Sequence, residues 1–418
     1  MQPLNEATLL FILQHHGDDV RQLMLSRPPQ DVDLRKACVQ IAAWQKARLK
    51  LPAWAACDGI IFPEQLPMEQ CSSELTARYK AELIAGMELG TKTNGNAVFY
   101  MTDLTGGFGV DATMLALSGA QTRLTFIEQN PELCDLARHN LPLMGVKDVQ
   151  VVCADCEQAL HSLPPQHLIF LDPARRNEQG GRTVAIVDCT PDVEQLQDAL
   201  LEHTEVLMVK LSPMLDLTDA LHRLHHVSEV HVVSIDGECK ELLLLLRREG
   251  VEKGISCVNL SQKHPRQTFL FTREEEQQAA CDYTTTLDAY LYEPNASILK
   301  AAAFRSVAQR FGLKKLHPNS QLYTADKYIP DFPGRCFAIV DSSDFNKKNL
   351  NALLTGISKA NLTVRNFPLS VVELRRRLKI NEGGNDYLFA TTLADEKHVI
   401  IRCVKQMLSF STASPSGI

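Results

Sequence analysis

No segment of the 418-residue chain approaches eighteen consecutive apolar residues; the longest candidate, "ELLLLLRR" at 241–248, has only the length of a strand. A membrane-spanning helix is therefore not expected. The opening "MQPLNEATLL" has no basic stretch ahead of an apolar one, so no secretory signal is expected and the chain reads as cytoplasmic. Twelve cysteines are present, but paired spacing is missing. Cys153 and Cys156 make one C-x-x-C, and no second pair follows at a distance suited to zinc. The thiols read as reduced, and no metal is expected. Excess basic charge is missing too, for the net charge is −7. Its distribution is uneven: residues 335–418 hold 12 Lys and Arg against 7 Asp and Glu, whereas 91–334 hold 22 against 32. A polyanionic partner is thus expected at the tail, with the acidic middle supplying chemistry. Charge alone leaves equally open that the tail is a solvated face.

What is present is a change of periodicity along the chain. Residues 1–92 read as an all-α domain, opened by an Asn cap in "NEATLLFILQHH" and carrying Leu34, Cys38, Ile41 and Trp44 at helical spacing. From 93 to 275 strands alternate with helices, which predicts a parallel sheet covered on both faces. Strands are expected near 98–103, 124–128, 149–153, 168–172, 205–211, 229–235 and 241–248. Only "DGECK" separates the last two, so they form an antiparallel hairpin. "ISCVNLSQ" and "QTFLFTREEE" read as a ribbon extending the sheet. Residues 276–334 form a small α+β unit, with "ASILKAAAFRSVAQRFGL" as one helix and "LHPNSQLYTADKYIPDFPGR" as loop. Residues 335–418 read as a further α+β unit, whose helix "SVVELRRRLKI" opens with the capping box Ser370/Glu373 and stops at Asn381 and Gly383-Gly384.

The turn "DLTGGFGVD" at 103–111 joins a strand to a helix, and glycines there let a ligand approach the backbone. Gly107-x-Gly109-x-x-Ala112 also has dinucleotide spacing, but Asp103 would repel a pyrophosphate at the helix start. The same carboxylate attracts an ammonium or a sulfonium, and S-adenosylmethionine carries both. Glu128 ends the second strand, placed to accept from ribose hydroxyls. Asp155 ends the third, placed to reach an adenine amine. Asp172-Pro173 closes the fourth. Acidic helix caps at strand ends are the structural alternative.

This series resembles motifs I to IV of the class I S-adenosylmethionine-dependent methyltransferases, over residues 95–250. "EPNASILKA", "LHPNSQLYTAD", "NFPLSVVELRRRLKI" and "GGNDYLFATTL" resemble a subgroup of bacterial methyltransferases with a C-terminal THUMP-like domain. The resemblance implies an α/β fold: a Rossmann-like methyltransferase sheet, a helical N-terminal domain, and C-terminal ferredoxin-like and THUMP-like units. It implies an enzyme whose cofactor, S-adenosyl-L-methionine, is held by Asp103, Thr105, Gly106, Gly107, Gly109, Glu128 and Asp155. By analogy with THUMP domains the partner is RNA, tRNA or rRNA.

Methyltransferases of exocyclic amines follow Asp/Asn-Pro-Pro with an aromatic that stacks on the base, whereas this chain has Ala174-Arg175. The uridine-C5 type needs a cysteine near "VKLSPMLD", where Ser212 stands; Cys189 and Cys239 stay open. Asp172 would orient the acceptor or take its proton, with Arg175 beside it. Arg175 and Arg176 would grip phosphate or stack on a base, forming a basic loop with Arg182, unless these arginines simply pair with Asp188 or Glu178; Lys210 and Ser212 are pocket candidates. In the tail Arg375 and Arg376 would bind RNA, extended by Lys379 and Arg365, with Tyr387 or Phe389 for stacking if exposed; Phe389 reads rather as a core residue of its hairpin. A methyltransferase of protein or small molecules, and a non-catalytic S-adenosylmethionine- or RNA-binding protein, remain as alternatives.

Overall fold

The computed structural model describes residues 4–87, 89, 98–119, 121–160, 163–175, 185–249 and 254–405. The chain opens with α1 (Glu6–His15), α2 (Val20–Met24), α3 (Leu34–Lys50), α4 (Pro52–Ala56), α5 (Gln65–Gln70) and α6 (Glu74–Ala85). Asn5, Asp19, Asp33 and Ser73 cap α1, α2, α3 and α6 by accepting from backbone amides of the first turn. Proline starts α4, where its missing N–H costs nothing. Trp54, Phe62 and Met68 close a core with Ala43 and Ala47 that also takes in Phe108 and Val110, from the turn after the first strand. The helices are thereby built against that turn.

The strands that follow are β1 (Phe99–Asp103), β2 (Thr122–Glu128), β3 (Val149–Cys153), β4 (Gln166–Leu171), β5 (Ala174–Arg175), β6 (Cys189–Thr190), β7 (Thr204–Leu211), β8 (Val227–Ile235), β9 (Glu238–Leu246), β10 (Ile255–Leu260) and β11 (Gln267–Phe271). β5 and β6 make a separate two-stranded pair; the others form one sheet in the order β11-β10-β8-β9-β7-β4-β1-β2-β3. β1, β2, β3, β4 and β7 run parallel, and β9 is inserted antiparallel to β7. This is the α/β sheet of the class I methyltransferase type. Asp236 and Gly237 both take positive φ in the turn before β9, as a two-residue hairpin requires. α7 (Val110–Ala116) follows β1 and α8 (Pro131–Leu143) follows β2. Their Ala112, Leu115, Ala137 and Leu141 pack with Met101, Phe126 and Phe170 of the sheet.

The chain divides into two compact units, Met1–Val230 with Glu241–Glu252, and His231–Lys240 with Lys253–Ile418. Within the second, β12 (Tyr290–Pro294), β13 (Lys314–His317), β14 (Ser320–Ala325), β15 (Gly334–Asp344), β16 (Asn361–Val364), β17 (Asp386–Thr392) and β18 (His398–Lys405) share one sheet. Its order is β13-β14-β12-β15-β18-β17-β16. Asn366 Nδ2, just past β16, lies 2.9 Å from His317 Nδ1 at the end of β13, so the sheet curls until its two edges approach.

Three expectations for this unit change. The stretch 296–313 is two helices, Ala296–Ala301 and Phe304–Phe311, because Ala302 adopts φ +59 between them. Glu276 then caps the second helix, accepting from the amides of Phe304, Arg305 and Ser306. The segment read as loop contains the β13–β14 hairpin, which turns at Pro318-Asn319. The basic helix, Val371–Leu378, has its capping box but ends at Lys379, in the left-handed region, before Asn381.

Candidate active site

β1 delivers Asp103 to the carboxyl edge of the sheet. Its carboxylate, 1% exposed, accepts a 2.9 Å hydrogen bond from the Thr105 amide. Burial pushes the Asp103 carboxyl up to about 8, aided by the nearby Asp111 and Asp172 and opposed by the Thr105 hydrogen bond and by Lys210. It is a carboxylate short of positive charge, and a cationic ligand would supply what it lacks. Gly107 and Gly109 take φ +58 and +82, so the turn needs residues that tolerate the left-handed region. Gly106 has a different reason. A Cβ there would sit 2.2 Å from the Phe126 ring, so this glycine makes room for the core and not for a ligand.

Glu128 ends β2 and ties the turn down: Oε2 accepts from the Gly107 amide at 2.8 Å and Oε1 from the Asn130 amide at 2.7 Å. Each oxygen keeps a second lone pair for a hydroxyl. Asp155, exposed after β3, accepts from the amides of Glu157 and Gln158 and so caps the following helix. Asp103, Glu128, Asp155 and Asp172 thus follow four neighbouring strands at one sheet edge. That set of acceptors suits a ligand combining a cation, ribose hydroxyls and an amine.

Asp172 follows β4. Its amide donates to Thr105 Oγ1 at 2.7 Å, and its carboxylate is paired with the Lys210 ammonium. β4 and β7 are in register with Leu171 beside Val209, so Asp172 and Lys210 leave the strands side by side. Lys210 also reaches Ser72 Oγ at 3.1 Å and Asp111 Oδ2 at 3.3 Å. Behind it Lys80 of α6, fully buried, sits 3.1 Å from Asp111 Oδ1 and 2.7 Å from Glu241 Oε1. Ser72 donates to Asp111 Oδ2 at 2.6 Å, closing the network. Burial pulls the Lys210 ammonium down, but Asp172, Asp111 and Glu241 outweigh it and hold it above the ordinary lysine range. Burial likewise opposes Asp111, yet Lys80 and Lys210 keep it below the usual carboxylate range. Burial raises Asp172 against the pull of Lys210.

Lys80, Ser72, Asp111 and Glu241 were missed in the sequence. The only local sign was a lysine among Ala77, Ala81 and Ile84 on the buried face of α6. Arg175 has its backbone in β5, while Arg176 and Arg182 lie outside the described residues. Cys189 is buried at the start of β6, and Ser212 Oγ accepts from the Met214 amide. In the second unit Arg376 is exposed, but Arg375 donates to the Ala360 carbonyl at 3.4 Å. Arg377 stands 4.5 Å over the Phe345 ring. Arg365 is corrected: it is paired with the buried carboxylate of Glu293, which Arg335 shares, and is not a spare cation. Phe389 is fully buried, a core residue of its hairpin as expected, and Tyr387 packs on Phe337. Among the described residues no group of three or more His, Cys, Asp or Glu is placed to hold a metal ion, and no helix is long and apolar enough to cross a membrane.

A ferredoxin-like domain family matches residues 290–333, and a THUMP domain-like family matches 334–405. No curated protein matches the chain. Among solved structures, one described as "putative methyltransferase from Porphyromonas gingivalis W83" is 36% identical, with a TM-score of 0.82, over 96% of this chain and 98% of that one. An rRNA methylase from Streptococcus thermophilus is 13% identical over 42% of this chain and 95% of that one, with a TM-score of 0.28. A SAM-dependent methyltransferase from Agrobacterium tumefaciens is 12% identical over 43% and 63%, with a TM-score of 0.31. Those two scores say nothing about chemistry.

Proposed function

The chain belongs to the family of the Porphyromonas gingivalis protein, and on that footing we propose that it is an S-adenosylmethionine-dependent methyltransferase acting on RNA. The observation that carries the cofactor is the row of carboxylates at the ends of β1 to β4, led by the buried Asp103 with its shortage of positive charge. S-adenosylmethionine, when bound, supplies an activated methyl carbon. Asp103 holds the cationic end of this ligand, and Glu128 accepts from ribose hydroxyls while pinning Gly107. Asp155 offers its remaining lone pairs to the adenine amine. The turn Thr105–Gly109 fixes the path between them.

Asp172 orients the acceptor and takes its hydrogen bond, and Arg175 and Arg176 are the candidates for gripping a substrate phosphate. In-line transfer depends mainly on such positioning. The RNA reading rests on the THUMP domain-like match at 334–405 and on the basic balance of the tail, with Arg376 among its exposed cations and Arg375 beside it. Calorimetric titration with S-adenosylhomocysteine tests the cofactor; no binding by the intact protein removes it. Mass spectrometry of nucleosides from the RNA of a deletion strain tests the acceptor. One methylated nucleoside should disappear and return with the gene. An unchanged nucleoside profile moves the acceptor to a protein or a small molecule.

A further inference from the structure

The ion network behind Asp172 has a shape that packing alone does not explain. It holds two ammoniums, Lys80 and Lys210, and three carboxylates, Asp111, Glu241 and Asp172. Four of the five are buried, but the side chain of Asp172 is 35% exposed. Buried ion pairs add little net stability over apolar residues of the same volume, since desolvation consumes most of the attraction. A network kept only for packing has no need to end at a solvent-facing carboxylate. This one ends there, on the residue at the acceptor side of the site.

We propose that Lys210 is a positioning residue for Asp172, held in place by Ser72, from the link between α5 and α6, and by Lys80 of α6, so that the helical block is an integral part of the reaction centre. The inference rests on the methyltransferase reading above. Lys210 engages one oxygen of Asp172, and the Thr105 hydroxyl accepts from its backbone amide. With both ends fixed, the carboxylate keeps one orientation while its side chain stays 35% exposed. Ser72 and Asp111 hold the Lys210 ammonium from behind. Lys80 in turn neutralises Asp111 and Glu241, which would otherwise draw Lys210 away from Asp172.

The charged groups around Asp172 are Lys210 from β7, Asp111 from α7, Lys80 from α6 and Asp103 from β1, with Glu241 from β9 behind Lys80. Lys210 and Lys80 favour the ionised form of Asp172, and Asp111 opposes it. Removing Lys210 should therefore make Asp172 harder to ionise. Removing Ser72 should do the same more weakly, by loosening Lys210.

The test uses the full chain labelled with carboxyl-13C aspartate. Asp172 is assigned by its loss in Asp172→Asn, and wild type is compared with Lys210→Met, Lys210→Arg and Ser72→Ala. In Lys210→Met the titration midpoint of Asp172 should rise by about one pH unit or more. Ser72→Ala should move it a few tenths in the same direction, and Lys210→Arg should restore it. The acid limb of the pH–rate profile, read as tritiated methyl transfer into total RNA of a deletion strain, should move with the midpoint. S-adenosylhomocysteine affinity, taken on the alkaline plateau where Asp103 is ionised, should stay within about twofold of wild type. Ser72→Ala keeps the proposal open to refutation if Lys210→Met does not fold. An unmoved Asp172 midpoint in Lys210→Met, or in Ser72→Ala where Lys210→Met does not fold, overturns the proposal, as does a moved midpoint with an unmoved acid limb while wild-type transfer is intact. If the wild type transfers no methyl group to RNA, the RNA reading fails, and the Asp172 midpoints alone decide the proposal.

Discussion

Thr105 Oγ1 accepts a 2.7 Å hydrogen bond from the backbone amide of Asp172, joining the turn after β1 to the end of β4. The turn that would hold a cofactor and the carboxylate that would face an acceptor are therefore one rigid piece. The Thr105 amide donates to Asp103, so a single residue links two of the four carboxylates. Thr105→Val keeps the shape and removes the acceptor. It should destabilise the protein by about 1 kcal/mol, as expected for one neutral hydrogen bond, and weaken S-adenosylhomocysteine binding. Equilibrium urea unfolding and calorimetry measure the two effects; unchanged values for both would show that the link does no mechanical work.

Asp103 gives the cofactor site a pH dependence. Its carboxyl, pushed up to about 8 by burial, is protonated in most molecules at pH 6, and an ammonium must displace that proton. Affinity for S-adenosylhomocysteine should rise between pH 6 and 8 by at most about tenfold per unit and then level off. Asp103→Asn should bind weakly with no such rise. Stability carries the opposite sign: a carboxyl raised above its unfolded value favours the fold at low pH, and that contribution is lost as pH climbs from about 4 through 8. Relative to Asp103→Asn, the ligand-free wild type should thus lose stability over this window, which unfolding midpoints taken at several pH values will reveal.

The glycines of the turn should separate by experiment. Gly106→Ala pushes a methyl into the Phe126 ring, so it should destabilise by about 1–3 kcal/mol, and Phe126→Leu should partly relieve it. Gly107→Ala has room, its Cβ meeting nothing nearer than the Thr105 carbonyl at 3.7 Å, and costs only its positive φ, about 1–2 kcal/mol. No rescue by Phe126→Leu is expected there. Urea midpoints of the four proteins decide whether packing or backbone sets each glycine.

Arg376 offers the cleanest test of the tail. It is exposed on the helix Val371–Leu378, while Arg375 braces the Ala360 carbonyl and Arg377 lies over Phe345. Arg376→Glu should weaken tRNA binding across sequences and reduce the salt slope by about one, leaving S-adenosylhomocysteine affinity intact. Equal RNA affinity at two salt concentrations would leave the basic helix a structural role.

The sheet was legible because β1 to β4 and β7 are apolar runs bounded by turn residues, and Asp236-Gly237 marks its own hairpin. Those signals are local. Ala302 carries none: nothing in a run of alanines announces a left-handed residue, so two helices read as one. The hairpin at Pro318-Asn319 was hidden by surrounding prolines. Asp103 and Glu128 could be placed by their strand ends, but the partners of Asp172 could not. Lys80 and Glu241 meet across 161 residues, and no local pattern encodes such a pairing.

That separation also orders events during synthesis. When α6 leaves the ribosome, Lys80 has an ammonium on its apolar face and no Glu241 to receive it, because β9 is made 161 residues later. N-terminal domains commonly finish folding while the rest of the chain is still being made. This helical block cannot: until β9 arrives, closing α6 over the sheet would bury Lys80 without the closest of its carboxylates. A nascent chain halted before β9 is left with an unfinished first domain, and the strand that enters the sheet beside β7 also completes the helices made first.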